Sequence, residues 1–197
     1  MPTLIYLHGF LSSPQSYKSR VVERWLSENR PDIEFICPAL SSYPAEAIHT
    51  LTTLLDQRAS DRPMLLGSSL GGYWAKWLAH QYDLRAVLVN PLVEPERLMA
   101  NYVGKTLKNY HTDETYQLTE RDRLALLSVN VTRIEDVERY WLMVQTGDES
   151  LDYRRAVDVY RGCRQLIEEG GDHGFTQFER WVPSIIAFLE APQTARF

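Results

Sequence analysis

Short runs of apolar residues alternate with longer, helix-periodic stretches from one end of the chain to the other. The runs Thr3–Leu7, Glu34–Cys37, Pro63–Leu66, Ala86–Asn90, Tyr140–Gln145 and Gln165–Glu168 predict strands. Between them, Tyr17–Asn29, Ala45–Ala59, Leu70–Gln81, Tyr153–Arg161 and Phe178–Leu189 predict helices. In Ala45–Ala59, for example, Ala47, Ile48, Leu51, Leu54 and Leu55 recur at the spacing of one helix face. Strands of four to six residues separated by such helices imply βαβ crossovers. The result is a six-stranded, mostly parallel sheet with helices on both faces. Several strands are apolar throughout rather than alternating, as strands covered on both faces should be. Pro183, inside the last helical pattern, predicts either a kink or a helix that starts nearer Pro183 itself.

One segment breaks this rhythm. From Pro91 to Arg139 no good strand is evident, and the composition turns polar with Tyr102, Tyr110 and Tyr116 interspersed. Helical patches lie around Pro95–Tyr102 and Leu118–Leu127. Long insertions in compact domains are more often lids or binding loops than idle surface. Residues 91–139 are therefore expected to form a small lid within a single domain spanning 1–197.

Composition narrows the class. Apolar residues make up 44% and charged residues 24%, which excludes low-complexity and disordered chains. The formal net charge is −5, with 21 basic and 26 acidic residues and no basic cluster. Nucleic-acid binders usually carry a basic stripe, so that partner is not expected. Two cysteines without CxxC spacing supply neither a disulfide framework nor a zinc site. The start, MPTLIYLHGF, lacks a basic segment and a cleavage site. No stretch approaches the ~18 apolar residues of a membrane span. A soluble, cytoplasmic protein is expected.

The chemistry centres on Gly67-Ser68-Ser69-Leu70-Gly71, a G-x-S-x-G between a predicted strand and a predicted helix. A turn this sharp strains its central residue and leaves that hydroxyl exposed above the sheet, while small neighbours let strand and helix approach. Ser69 occupies that position; Ser68 does not. The following helix start adds free N–H groups and positive potential.

A serine hydroxyl needs a base to take its proton. Of five histidines, His49 and His80 fall in helical patterns, and His111 lies in the irregular segment. His173 lies in Gly170-Gly171-Asp172-His173-Gly174, directly after the last predicted strand. Ligands of open parallel sheets bind at the carboxyl ends of strands, which puts this loop on the same edge as Ser69. A base of this kind needs a carboxylate to hold its tautomer. Asp148 follows the penultimate strand on that edge, with Glu149 and Asp152 as neighbouring rivals. Acyl transfer also needs oxyanion donors. Leu4–Leu7 leads into His8-Gly9-Phe10, where Gly9 allows the Phe10 N–H to turn inward. The Leu70 N–H would be the second donor, and His8 reads as a loop brace.

Taken together, these stretches resemble the α/β-hydrolase fold, and in particular the YqiA-like family of small bacterial esterases. The resemblance rests on Tyr6–Phe10 with Ser12-Ser13-Pro14, on Gly67–Tyr73 and on Val89-Asn90-Pro91. It continues through Gln145–Glu149 with Leu151–Arg154, and Glu169–His173 with Phe175. It implies a three-layer α/β-hydrolase with Ser69 as nucleophile, Asp148 as acid and His173 as base. The Phe10 and Leu70 amides would form the oxyanion hole. It further implies hydrolysis of carboxylic esters or acyl thioesters, with no cofactor and no metal. Asp172 departs from the family, which commonly has a neutral residue there, and residues 91–139 match only loosely. A lid this short suits short acyl chains on a small-molecule substrate. Two other readings stay open: acyl transfer by the same residues, and a catalytically silent binding module.

Overall fold

The computed structural model describes residues 1–192. The first half runs β1 (Thr3–Leu7), α1 (Tyr17–Asn29), β2 (Glu34–Ile36), α2 (Pro44–Asp56), β3 (Met64–Ser68), α3 (Leu70–Tyr82) and β4 (Ala86–Val89). The next segment holds α4 (Pro95–Tyr102), β5 (Thr106–Lys108), β6 (Thr115–Gln117) and α5 (Glu120–Ser128). The chain then continues with β7 (Tyr140–Gln145), α6 (Tyr153–Val159), β8 (Arg164–Glu168) and α7 (Val182–Glu190).

Six strands form one sheet in the order β2-β1-β3-β4-β7-β8, and every pairing is parallel. This is the six-stranded α/β sheet that the alternation predicts. Successive residues of each central strand enter opposite cores. Leu4, Tyr6, Leu66, Val87, Val89, Trp141 and Met143 pack with Val22 and Leu26 of α1 and Ile185 and Ile186 of α7. Ile5, Leu7, Leu65, Leu88, Leu142 and Val144 pack on the other side with Leu51 and Leu55 of α2 and Tyr73, Trp74 and Leu78 of α3. Both faces are dry, which is why these strands show no polar alternation.

The order also reverses at β1, since β2 lies on one side of it and β3 on the other. A crevice opens where connections leave such a switch point in opposite directions. The carboxyl ends of β1 and β3 carry Gly9 and Ser69, so the fold sets these two side by side.

Three findings refine the expected elements. Residues 91–139 do contain strands: β5 and β6 form a two-stranded antiparallel hairpin, with Leu107 opposite Tyr116. Only those two side chains are buried among the six strand residues of the hairpin, too little alternation to read from sequence. Second, α2 ends at Asp56, and a 3-10 turn at Ala59–Asp61 completes the stretch predicted as helix. Third, the last helix does not kink at Pro183. A 3-10 turn covers Phe178–Trp181, and α7 begins at Val182 with the proline in its first turn. Pro fits there because the first helical N–H groups have no intrahelical partner.

Candidate active site

Ser69 joins β3 to α3 in a backbone conformation that L-residues seldom adopt, φ 57° and ψ −123°. Four hydrogen bonds over-determine it. Its N–H donates to the Val89 carbonyl at 3.0 Å, and its own carbonyl accepts from Gly72, Tyr73 and Leu92. Such strain persists where surrounding structure holds it, and it gathers at functional sites. A Cβ on Gly67 would run into the Gly71 backbone, and one on Gly71 into the Leu7 carbonyl. The glycines are the condition for the helix to start this close to the strands. A Cβ on Gly9 would come within 3.3 Å of the Ser69 side chain, so the β1 loop passes directly over the hydroxyl.

The other two predicted side chains meet Ser69 there. The Ser69 hydroxyl lies 3.1 Å from His173 Nε2, and His173 Nδ1 lies 2.9 Å from Asp148 Oδ2. An ionised carboxylate only accepts hydrogen bonds, so Nδ1 carries the proton and Nε2 is left as the acceptor facing Ser69. The Asp148 side chain is 2% exposed and that of His173 26%, so the carboxylate is sealed while the imidazole borders solvent. Asp148 Oδ1 also accepts the Ser150 and Leu151 amides, both at 2.8 Å. Its two rivals lie elsewhere. Glu149 accepts the backbone N–H of His173, and Asp152 caps α6 by accepting the Arg154 N–H. Hydrogen bonds from its own backbone and that of His173 hold the Glu149 carboxyl below its usual range.

Among the described residues, the amides of Phe10 and Leu70 make no hydrogen bond to a backbone carbonyl. Leu70 is the first residue of α3, where an N–H is free by construction. His8 braces the loop between them: its buried ring contacts the Gly9 carbonyl through Nδ1 and accepts the Leu40 N–H at Nε2, 2.9 Å away. Burial lowers its pKa, which suits a neutral brace.

Two buried residues without a predicted role hold the histidine loop. Asn90, just past β4 at φ 41°, donates from Nδ2 to the carbonyls of Asp172 and His173 and accepts the Gln145 N–H at Oδ1. Gln145, at the end of β7, accepts the Asp172 and Thr176 amides and donates to the Thr176 carbonyl. Both are polar residues closing apolar strands at the carboxyl edge, which was the signal available in the sequence. The insertion in turn holds the loop after β1. The Tyr110 N–H donates to the Leu11 carbonyl, Asn109 Nδ2 donates to the Ser12 carbonyl, and the Tyr102 ring packs on Phe10 with centroids 5.3 Å apart.

A cleft of about 800 Å³ opens over Ser69 and His173. Its lining combines apolar side chains, Leu92, Val93, Leu98, Tyr102 and Phe10, with the polar groups of Tyr6, Ser16, Lys18 and Ser68. Among the described residues, no group of three or more His, Cys, Asp or Glu side chains could hold a metal ion. No helix among them is long and apolar enough to cross a membrane.

This sheet and its helices define an α/β-hydrolase fold. The chain belongs to UPF0227, described as an uncharacterised protein family, whose model matches residues 3–190. It is similar to a UPF0227 protein of Klebsiella pneumoniae, 25% identical over 189 residues that cover 94% of this chain and 97% of that protein. Among solved structures it is similar to Est1E from Butyrivibrio proteoclasticus with ferulic acid bound. That match has a TM-score of 0.70 at 15% identity, covering 95% of this chain and 88% of the other. It is also similar to FphF, a fluorophosphonate-binding serine hydrolase of Staphylococcus aureus. There the TM-score is 0.64 at 20% identity, covering 97% and 84% of the two chains. At these identities the structural likeness is one of fold.

Proposed function

We propose that this protein is a serine hydrolase that cleaves carboxylic esters or acyl thioesters through an acyl-enzyme on Ser69. The observation that carries the reading is the unbroken line from a strained Ser69 to His173 Nε2 at 3.1 Å, and from Nδ1 to a sealed Asp148 at 2.9 Å. Ser69 Oγ attacks the carbonyl carbon as His173 Nε2 takes its proton, and Asp148 stabilises the imidazolium. The charge that develops on the carbonyl oxygen falls to the free amides of Phe10 and Leu70. On collapse the C–O or C–S bond breaks, and His173 returns the proton to the leaving group. Water then repeats the sequence, giving its proton to His173, and as the Ser69–acyl bond breaks that proton passes to Ser69 Oγ and the acid is released. Acyl transfer would differ only in the second nucleophile. A silent binding module has no use for a strained serine aligned on a base.

Residues 91–139 serve as a fixed lid in this reading. They supply the apolar wall for a short acyl group and pin the loop that carries Phe10. The fold shared with FphF and Est1E supports hydrolase chemistry for the site. The test is turnover of an activated short-chain ester. Ser69→Ala should lower it by about 10⁴ or more, in line with nucleophile removal in serine hydrolases. Ser68→Ala should keep much of it; equal losses in the two variants would overturn the assignment.

A further inference from the structure

The lining of the cleft holds a cation that the proposed chemistry does not use. Lys18, the second residue of α1, is partly buried beside His173 and Gly174 in the lining of the cleft. Its Nζ donates to the Gly174 carbonyl at 2.8 Å. An ammonium has three donors, so two remain. Among the described residues Lys18 forms no ion pair. The other cations of the cleft differ. Arg97 and Arg155 both reach Glu94, at 2.9 and 3.7 Å, and so arrive already paired. A cation withdrawn from water without a counter-ion is costly unless something repays it. Desolvation accordingly lowers the Lys18 pKa to about 8, against the raising pull of Asp172 and Asp148. The charge survives at neutral pH in a protein whose net charge is −5.

We propose that Lys18 recognises an oxyanion on the leaving group, so that the substrates are esters or thioesters whose alcohol or thiol part carries a carboxylate or phosphate near the scissile bond. This rests on the hydrolase reading above and deepens it. The side is assigned by the proton's path. The departing atom receives its proton from His173 Nε2 and must lie against the imidazole. Gly174 follows His173 in the chain, and Lys18 is fixed on its carbonyl, so the free donors flank the departing group. The acyl group is left the apolar part of the lining, Phe10, Tyr102, Leu92 and Leu98, which offers no charge. The hydroxyls of Tyr6, Ser16 and Ser68 lie together in the same lining and add neutral donors.

The test compares 3-carboxyphenyl acetate with 3-carbamoylphenyl acetate, which share shape and differ in charge on the leaving group. Monophenyl succinate places the charge on the acyl group instead, and 3-acetoxyphenyl phosphate replaces carboxylate by phosphate. Lys18→Met should lower kcat/KM for 3-carboxyphenyl acetate about tenfold or more, as expected for a lost hydrogen bond to a charged group. The carbamoyl ester should change little, and Lys18→Arg should retain the preference. Whichever of carboxylate and phosphate loses more identifies the natural group. In the wild type alone, 3-hydroxybenzoate should inhibit more strongly than 3-hydroxybenzamide, a comparison that needs no variant to fold. Equal losses on charged and neutral esters would reduce Lys18 to a tie for the histidine loop and overturn the proposal. A loss confined to monophenyl succinate would overturn its side. Fluorophosphonate labelling of wild-type Ser69 separates the two readings. Labelled protein without charge discrimination refutes the role of Lys18 alone, whereas absent labelling refutes the hydrolase reading.

Discussion

Replacing Asn90 with alanine isolates the link between the sheet and the loop that carries His173. Its side chain makes three hydrogen bonds, at 3.0 and 3.1 Å to the Asp172 and His173 carbonyls and at 3.1 Å from the Gln145 amide. Truncation leaves the His173 carbonyl and the Gln145 amide without a partner, while the Asp172 carbonyl keeps the Phe175 N–H at 3.1 Å. A buried group stripped of its partner costs roughly 1–3 kcal/mol, and water entering from the loop side recovers part of that. A net loss of about 2–4 kcal/mol follows from the bonds. Asn90 also sits at φ 41°, where alanine adds ~1 kcal/mol that glycine would not. Asn90→Ala should therefore lose about 3–5 kcal/mol in urea unfolding, and Asn90→Gly about 1 kcal/mol less. The loop that drifts is the one bearing His173, and a 1 Å misplacement of a catalytic group costs about 10²-fold. Turnover should fall roughly 10- to 100-fold with KM nearly unchanged. An Asn90→Ala protein within about 0.5 kcal/mol and about twofold of the parent would refute the idea that Asn90 positions His173. Equal stability of the two variants would refute only the backbone part.

Two further outcomes test the insertion and a buried charge. Asn109→Ala should loosen the loop from Gly9 to Ser12 and lower kcat about tenfold with little change in KM; a pure change in KM would make the hairpin a substrate wall only. Lys76 of α3 is 1% exposed, with Nζ donating to the Val131 carbonyl, and burial lowers its pKa to about 8 against a weaker pull from Glu96. The folded state then gives up this proton near pH 8, while the unfolded chain keeps it until about 10.5. The cost of burying the charge, on the order of 3 kcal/mol, applies below pH 8 and fades as pH rises. The wild type should gain stability relative to Lys76→Met between pH 8 and 10; parallel pH profiles would show that Lys76 titrates normally.

Much of this was legible in the sequence because a few elements have strong physical signatures. β1, α1 and β7 fall on the predicted residues because apolar runs and amphipathic periodicity report burial directly. The elbow was legible because only glycine lets β3 and α3 approach so closely, and His173 and Asp148 because both follow strands at the same sheet edge. What escaped notice shares another property. Asn90, Gln145 and Asn109 act on backbone groups of loops distant in sequence, and no local pattern records such partners. The β5–β6 hairpin exposes Thr106, Lys108, Thr115 and Gln117 and buries one side chain per strand, so its signal is nearly empty. Lys18 has no distinguishing sequence context in α1, and the Gly174 carbonyl that holds it belongs to a loop distant in the chain.

In the proposed function Ser69 is a nucleophile activated by His173. Intact-mass and peptide mass spectrometry after treatment with a fluorophosphonate tests it most directly, since covalent capture needs the nucleophile and its base but no knowledge of the substrate. One adduct per chain is expected, located on the peptide carrying Ser69, absent in Ser69→Ala and strongly slowed in His173→Ala. An adduct that persists in Ser69→Ala, or a wild-type protein that takes up no label, would contradict it.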